Sequence, residues 1–502
     1  MMTRTFLLCS FVAFAPQLAG AADLAVPATF PTIQGAIVAA QSGDRVLVAP
    51  GTYLEHIDFL GKAIEVVGVQ GPTVTIIDGS SSDTVVRFVN DEGSASLLEG
   101  FTIRNGQPML FGFGDDGGGI RCVDSDPTIR NNVIEDNVAF WTGAGIACWN
   151  SNAMIEGNEI RSNHFTCLIA DAPCGDGAGI FISGGSPTIQ GNLIHDNIAP
   201  RSGGAIHIQD ASSVTMEGNR LLSNDGGNGG ALTIRDTTAS VANHLVAVNS
   251  ANGFFSLTGH IPGTGGGIRV MGNSVVTFEL CTVADNQALP GGSGGGLHVE
   301  PTATVAIHNS IVWGNMASAV PQLSGVTVVS YSDVEGGVAG LGNIDVAPAF
   351  VGVANGGYFL AHLATGQAVD SPCVDAGDPM TVPSGSTRSD GVDDGGTVDL
   401  GYHRGAATLN QFVRGDCSGD GTVNIADAIF ELGQLFPIGT PPPLGCADAC
   451  DGNDDGNMDL SDVVVLLNSL FGASPTPLPA PLVCGSDPTA DGLSCAAFPA
   501  CP

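Results

Sequence analysis

Gly203-Gly204-Ala205-Ile206-His207-Ile208, continuing through Met216 to Asn224, is one copy of a pattern that repeats along the middle of the chain. Two small residues precede an aliphatic, an apolar residue follows nine or ten positions on, and an asparagine stands eight beyond that. Between residues 117 and 315 the aliphatic position is Ile120, Ile146, Ile180, Ile206, Leu232, Ile268 and Leu297. The spacings are 26, 34, 26, 26, 36 and 29, which is a 26-residue unit with insertions of 8, 10 and 3. A fixed period with loop-sized insertions marks a solenoid, in which each repeat stacks on the last to bury a shared core.

The unit reads as β. Apolar residues alternate in short segments (Ile206, Ile208; Ile189, Leu193-Ile194), and Gly, Asn, Asp and Pro interrupt every few residues. Stacked coils set equivalent strands about 4.8 Å apart, so each position of the unit becomes a column along the axis. One column is asparagine in all seven coils: Asn137, Asn163, Asn197, Asn224, Asn249, Asn286 and Asn315. A second runs Asn132, Asn158, Asn192, Asn219, then His244, Cys281 and Ser310. An amide carries both donor and acceptor, so stacked asparagines can bond from coil to coil. Cys122 and Cys148 share another column, with inward burial or a disulfide between stacked coils as the two readings.

This pattern resembles the right-handed parallel β-helix of pectate lyases, polygalacturonases and their secreted relatives. Val26-Pro27 through Ile37, followed by Gly43-Asp44-Arg45-Val46-Leu47-Val48, is similar to the capping helix and first coil of that fold. Tyr331 to Gly337 and Ser371 to Asp378 look like the closing segment of bacterial β-helix surface proteins. The resemblance covers about 26–375 and implies an all-β right-handed parallel β-helix solenoid, placed at 23–410 with its cap and closing segment.

Two calcium-loop signatures follow, 35 residues apart (451 − 416). Oxygen-bearing residues occupy Asp416, Ser418, Asp420, Asn424 and Asp427 in the first, and Asp451, Asn453, Asp455, Asp459 and Asp462 in the second; Thr422 and Asn457 would lend backbone carbonyls. Calcium takes roughly 6–8 oxygens, and glycine at the sixth position, here Gly421 and Gly456, permits the sharp turn around it. An apolar stripe at helical spacing follows each loop: Ile425, Ala428, Ile429, Leu432, Phe436, then Leu460, Val463, Val464, Leu467, Leu470, Phe471. Residues 414–472 are similar to a type I dockerin, a small α-helical, EF-hand-like module. The resemblance implies two bound calcium ions and a cohesin-like partner. Where dockerins carry hydroxyl residues at loop positions ten and eleven, Ile425-Ala426 and Leu460-Ser461 stand here.

Residues 1–22 read as a secretory signal: Arg4, an apolar run from Phe6 to Ala15, then small residues suited to cleavage. No later stretch is long and apolar enough to span a bilayer. Export would make disulfides permissible, and Cys417, Cys446, Cys450, Cys484, Cys495 and Cys501 gather around the loops and the Pro/Cys-rich tail at 473–502; zinc is the competing reading of Cys446 and Cys450. A formal charge of −35, with one lysine (Lys62) among fifteen basic residues, excludes a nucleic-acid partner, which needs a basic surface.

The long insertions fall between the ladder asparagine and the next small pair, so they leave one edge of the solenoid. There Trp141 and Phe165 offer rings for stacking on a polysaccharide or cell-surface glycan, with Asp115, Asp116, Phe254 and His260 nearby. Outward columns carry Glu135, Arg161, His195 and Asp196, and on another face His207, Arg235, Arg269 and His298. His195, Asp196, Asp115 and Asp116 are the catalytic candidates, since paired carboxylates serve glycoside hydrolysis and an arginine beside a uronate can serve β-elimination. The favoured expectation is a polysaccharide-associated binding or assembly component; the alternative is a polysaccharide lyase or glycoside hydrolase acting on an acidic glycan.

Overall fold

Alternation along each repeat produces three short strands per coil, and like strands of successive coils pair in parallel into three long sheets. The computed structural model describes residues 21–108, 117–167, 174–256, 259–289, 291–353, 356–389, 392–404, 413–419, 422–436, 446–472 and 478–479. One coil runs through Ile206–Gln209 in a ten-stranded sheet, Val214–Glu217 in a twelve-stranded sheet and Arg220–Leu222 in an eleven-stranded sheet. A two-residue strand, Asp225–Gly226, then joins a six-stranded edge sheet before the chain returns. The pairing is in register: Ile180, Ile206 and Leu232 are neighbours, as are Ile182, Ile208 and Ile234. These inward residues are fully buried in one continuous core.

Two corners of each coil carry the asparagine columns. The Asn197 amide nitrogen side chain donates to Ile160 O and Asn224 Oδ1 at 2.9 and 3.0 Å, while its own oxygen accepts from Asn163. The residue before each ladder asparagine turns left-handed, at Asp136, Ser162, Asp196 and Ser223. Asp is among the side chains that tolerate this region, which gives Asp196 a corner role. The small pair before each aliphatic reflects backbone contact between coils: a Cβ on Gly230 would lie 2.1 Å from Gly266 O.

Cys122 and Cys148 are register partners, buried in the core as free thiols, so of the two readings inward burial is the one realised. A helix, α1 (Ile33–Ala39), covers the first coil with Ile33, Ala36 and Ile37. Side chains of the next coil fix both ends of α1. Glu55 accepts from the Ile33 and Gln34 amides at 2.9 Å, and Lys62 Nζ donates to the carbonyls of Ile37, Val38 and Ala40 at 2.7–2.8 Å.

Past Val334 the chain runs back over the outer face of the eleven-stranded sheet. Tyr358 packs with Leu245, Ala247 and Ala284 and donates to Asp285 Oδ2 at 2.7 Å. Leu360, Cys373 and Leu400 pack on Ile311. At the end of this return the Tyr402 amide donates to Thr282 Oγ1 and the His403 amide to Asn243 Oδ1.

The C-terminal unit holds α2 (Ile425–Leu435), α3 (Ala447–Cys450) and α4 (Leu460–Phe471). Its own core is Ala428, Val463, Leu466 and Leu478. Cys450 is bonded to Cys417, which answers the zinc reading in favour of a disulfide; a second disulfide joins Cys167 and Cys174. No helix among the described residues is long and apolar enough to cross a membrane.

Candidate functional site

The outward column of the ten-stranded sheet reads Phe181, His207, Thr233, Arg269, His298 from coil to coil, and the column beside it Ser183, Gln209, Arg235, Met271. The turns that precede these strands bring Asp176, Ser202 and Asn228 over them, and the Asp176 and Ser202 backbones form a bridge. Together they line an open cleft of about 360 Å³, whose lining also includes Arg201, Arg235, Arg269, Phe254 and Met271. That volume is of the order of a small-molecule pocket.

His207 lies at the floor, 3% exposed, where the sequence placed it on a solvated outward face. It does point away from the solenoid core, but the turns stack over it. Its ring is stacked on Phe181 with centroids 5.6 Å apart. Asp176 Oδ1 stands 3.8 Å from Nδ1, too far for a hydrogen bond. Both ring nitrogens and Asp176 Oδ1 are buried with no hydrogen-bond partner. Burial lowers the His207 pKa against the opposing charge of Asp176. Arg201 Nη2 holds the other Asp176 oxygen at 2.8 Å. Arg269 pairs with Glu300 through Nη2 and leaves Nε buried and unbonded. Buried polar atoms without partners are rare because each costs about 1–3 kcal/mol, so the cleft is built around groups still to be satisfied.

His195 and Asp196 lie elsewhere, on the eleven-stranded sheet, in a closed lattice of ions. His195 bonds Asp196 Oδ2 at 2.7 Å and Glu159 Oε1 at 3.1 Å, and Arg161 joins Glu159 to Glu135. The Glu159 carboxylate raises the His195 pKa, against burial. Each of the three carboxylates in this lattice has at least one ionic partner. Trp141 is 53% exposed at the loop edge, and its carbonyl accepts from the Asp176 amide at 3.0 Å. Phe165 is buried with Ala139, Ala144, Cys174, Ala178 and Ala199, filling the loop base instead of facing solvent. Asp115 and Asp116 lie outside the described residues. Sequence reading missed Asp176, Arg201, Ser202 and Asn228, whose one signal is that each stands just before a glycine or small pair, where the turns stack.

In the C-terminal unit the described ends of the two loops are held alike by their twelfth residues. Asp427 accepts from the Ser418 and Asn424 amides at 3.0 and 2.8 Å, and Asp462 from Asn453 and Asp459 at 3.2 and 2.7 Å. Asp451 accepts from the Asp455 and Gly456 amides. Asn424 and Asp459 cap α2 and α4 with full capping boxes. Asp416, Asp427, Asp451 and Asp462 are fully buried. Asp420 lies outside the described residues, while Ser418, Thr422, Asp455 and Asn457 lie on the loops. Among the described residues no three His, Cys, Asp or Glu side chains converge as a ready-made metal cage. Two acceptors beside the second loop have no partner, Asn453 Oδ1 and Glu431 Oε1. Burial first, then the charges of Asp462, Asp451 and Asp459, push the Glu431 carboxyl up to about 8.

Residues 92–336 match the family model of a right-handed β-helix region. The body of the chain is a right-handed β-helix. Among solved structures this β-helix is similar to a pectate lyase at 15% identity, covering 77% of this chain and 98% of that one with a TM-score of 0.46. A carrot pectin methylesterase is 12% identical over 63% and 90%, with a TM-score of 0.29. A mannuronan C-5 epimerase A-module of Azotobacter vinelandii is 16% identical over 60% and 94%, with a TM-score of 0.18. Likenesses at this level carry no argument about activity. No curated protein matches the chain.

Proposed function

We propose that the cleft binds a carboxylate-bearing unit of an acidic polysaccharide, on an exported β-helix that a calcium-loaded, dockerin-like module attaches to an assembly. The observation that carries the reading is the gathering of Arg201, Arg235 and Arg269, three of fifteen basic residues in a chain of charge −35, around a buried His207 with open hydrogen-bonding positions. Arginine forks match carboxylates geometrically, and a surrounding acidic surface repels any anion the cleft does not hold. Asp176 fits a sugar hydroxyl, and Phe254 and Met271 supply apolar contact.

The C-terminal loops fit calcium in their donor chemistry: hard oxygens only, with Asp416, Asp427, Asp451 and Asp462 buried and Asn453 Oδ1 left unbonded. In the second loop Asp451, Asn453, Asp455, Asp459 and Asp462 would supply side-chain oxygens and Asn457 its carbonyl; Asp416, Ser418, Asp420, Thr422, Asn424 and Asp427 are their counterparts in the first. Calcium supplies charge neutralisation there and no reaction step. Exposed Ile425 and Ile429 on α2, Phe436 at its C-cap, and Leu460, Val464 and Phe471 on α4 support a protein partner such as a cohesin.

The full-length protein is tested on immobilised acidic and neutral glycans of matched length. Retention on the acidic glycans only, weakened at least tenfold in Arg235→Ala and Arg269→Ala and unaltered in Arg161→Ala, is the expected result. Equal retention on both classes would sink the reading. A second reading, lyase or hydrolase action, is favoured by one observation: a buried, unbonded imidazole can accept a proton from a bound sugar. New unsaturated products or reducing ends, lost in His207→Gln, would establish it.

A further inference from the structure

Shifting the first loop–helix unit by 35 residues (451 − 416) lays Asp427 on Asp462 and Ala428 on Val463, both core positions. The same shift lays Glu431 on Leu466. Each is 1% exposed, so one unit buries a carboxylate where the other buries a hydrocarbon. A carboxylate taken from water without a partner is among the costliest groups a fold can bury. Glu431 Oε1 has no hydrogen bond, and the charges it faces are all negative: Asp451, Asp459 and Asp462 of the second loop. Arg414, the buried cation near that loop, pairs instead with Asp454 Oδ1 and the Asp451 carbonyl. A carboxyl buried among carboxylates keeps its proton unless a cation stands between them.

Resting on the calcium reading above, we propose that Glu431 supplies an oxygen to the divalent cation of the second loop, so that a residue of the first unit completes the site of the second. The two sites are therefore unequal. With Glu431 the second has five carboxylates (Asp451, Asp455, Asp459, Asp462 and Glu431) against three in the first (Asp416, Asp420 and Asp427), and affinity in such loops follows the count of charged ligands. Its cation also ties α2 to α4, which share the core of Ala428, Val463 and Leu466.

Calcium titration of the full-length protein by calorimetry, with thermal melting of the chelated form, tests this. Native protein takes up two ions. Glu431→Gln and Glu431→Leu lower the affinity of one ion at least tenfold and leave the other unchanged, and the ion lost is the one also lost in Asp462→Ala. Glu431→Leu, which copies the hydrocarbon of Leu466, raises the melting temperature of the chelated C-terminal unit while shrinking the gain on adding calcium. Two ions bound by both variants with native affinities would overturn the role of Glu431 and leave the calcium reading standing. A native protein that takes up no calcium would overturn both.

Discussion

His244 stands in a column where the four preceding coils carry asparagine. It keeps the ladder by accepting from Asn219 Nδ2 through Nε2 at 3.1 Å and donating from Nδ1 to Ala242 O at 2.7 Å. Only the neutral ring can do both. Burial lowers its pKa to about 4 from the ordinary 6.5, so between those values the unfolded chain binds the proton first. The stability that depends on neutral His244 is complete above pH 6.5 and is lost as pH falls towards 4, at most about 3 kcal/mol. Denaturant melts of His244→Asn, compared with native protein at pH 7 and pH 4.5, are expected to show this acid loss abolished. In the other column Asn197→Ala should cost about 1–3 kcal/mol by the same measurement, because Ile160 O and the Asn163 amide lose their partner. The columns were legible because spacing alone defines them. The burial of His207 was not, because it depends on how turns of unequal length stack over a strand, and no periodicity encodes that.

At the scale of elements, α1 shows how a short helix is held. Seven residues form too few internal bonds to persist alone. Glu55 at the N-terminus and Lys62 at the C-terminus complement the helix dipole and satisfy the exposed amides and carbonyls. Lys62→Met removes three charge-assisted bonds and is expected to lower stability by about 1.5–3 kcal/mol, with amide exchange rising first across 33–40. This assigns the chain's one lysine to the cap. The cap itself was legible through the resemblance of Val26-Pro27 through Ile37 to the capping helix of this fold. The helices that follow the two loops were legible from their apolar stripes, whereas their capping boxes were not read. Glu431 escaped notice there, since a single acidic residue on a helix reads as solvated until its neighbours are known.

At the scale of the whole molecule, the proposed glycan site sets three arginines, each paired with one carboxylate, within an acidic surface. Binding of an acidic glycan should weaken as ionic strength rises, since screening reduces the pull of the three arginines. Loss of affinity between low and physiological salt, smaller in Arg269→Ala, is the expected outcome in a retention assay. The C-terminal unit has a core of its own, so adding a chelator should lower one melting transition by calorimetry and leave the larger β-helix transition in place. The solenoid and its repeats were readable across 120–315, whereas the return of residues 356–404 over the outer face was not: its contacts join residues more than a hundred positions apart, such as Arg220 with Gly356 and Asn243 with His403. That return settles how the protein would bear load. Tyr402 and His403, near the end of the described return, are held beside Thr282 and Asn243, on coils before the last one. A pull applied through the C-terminal unit would therefore act in shear across several coils at once, and the terminal coil would not be peeled away first.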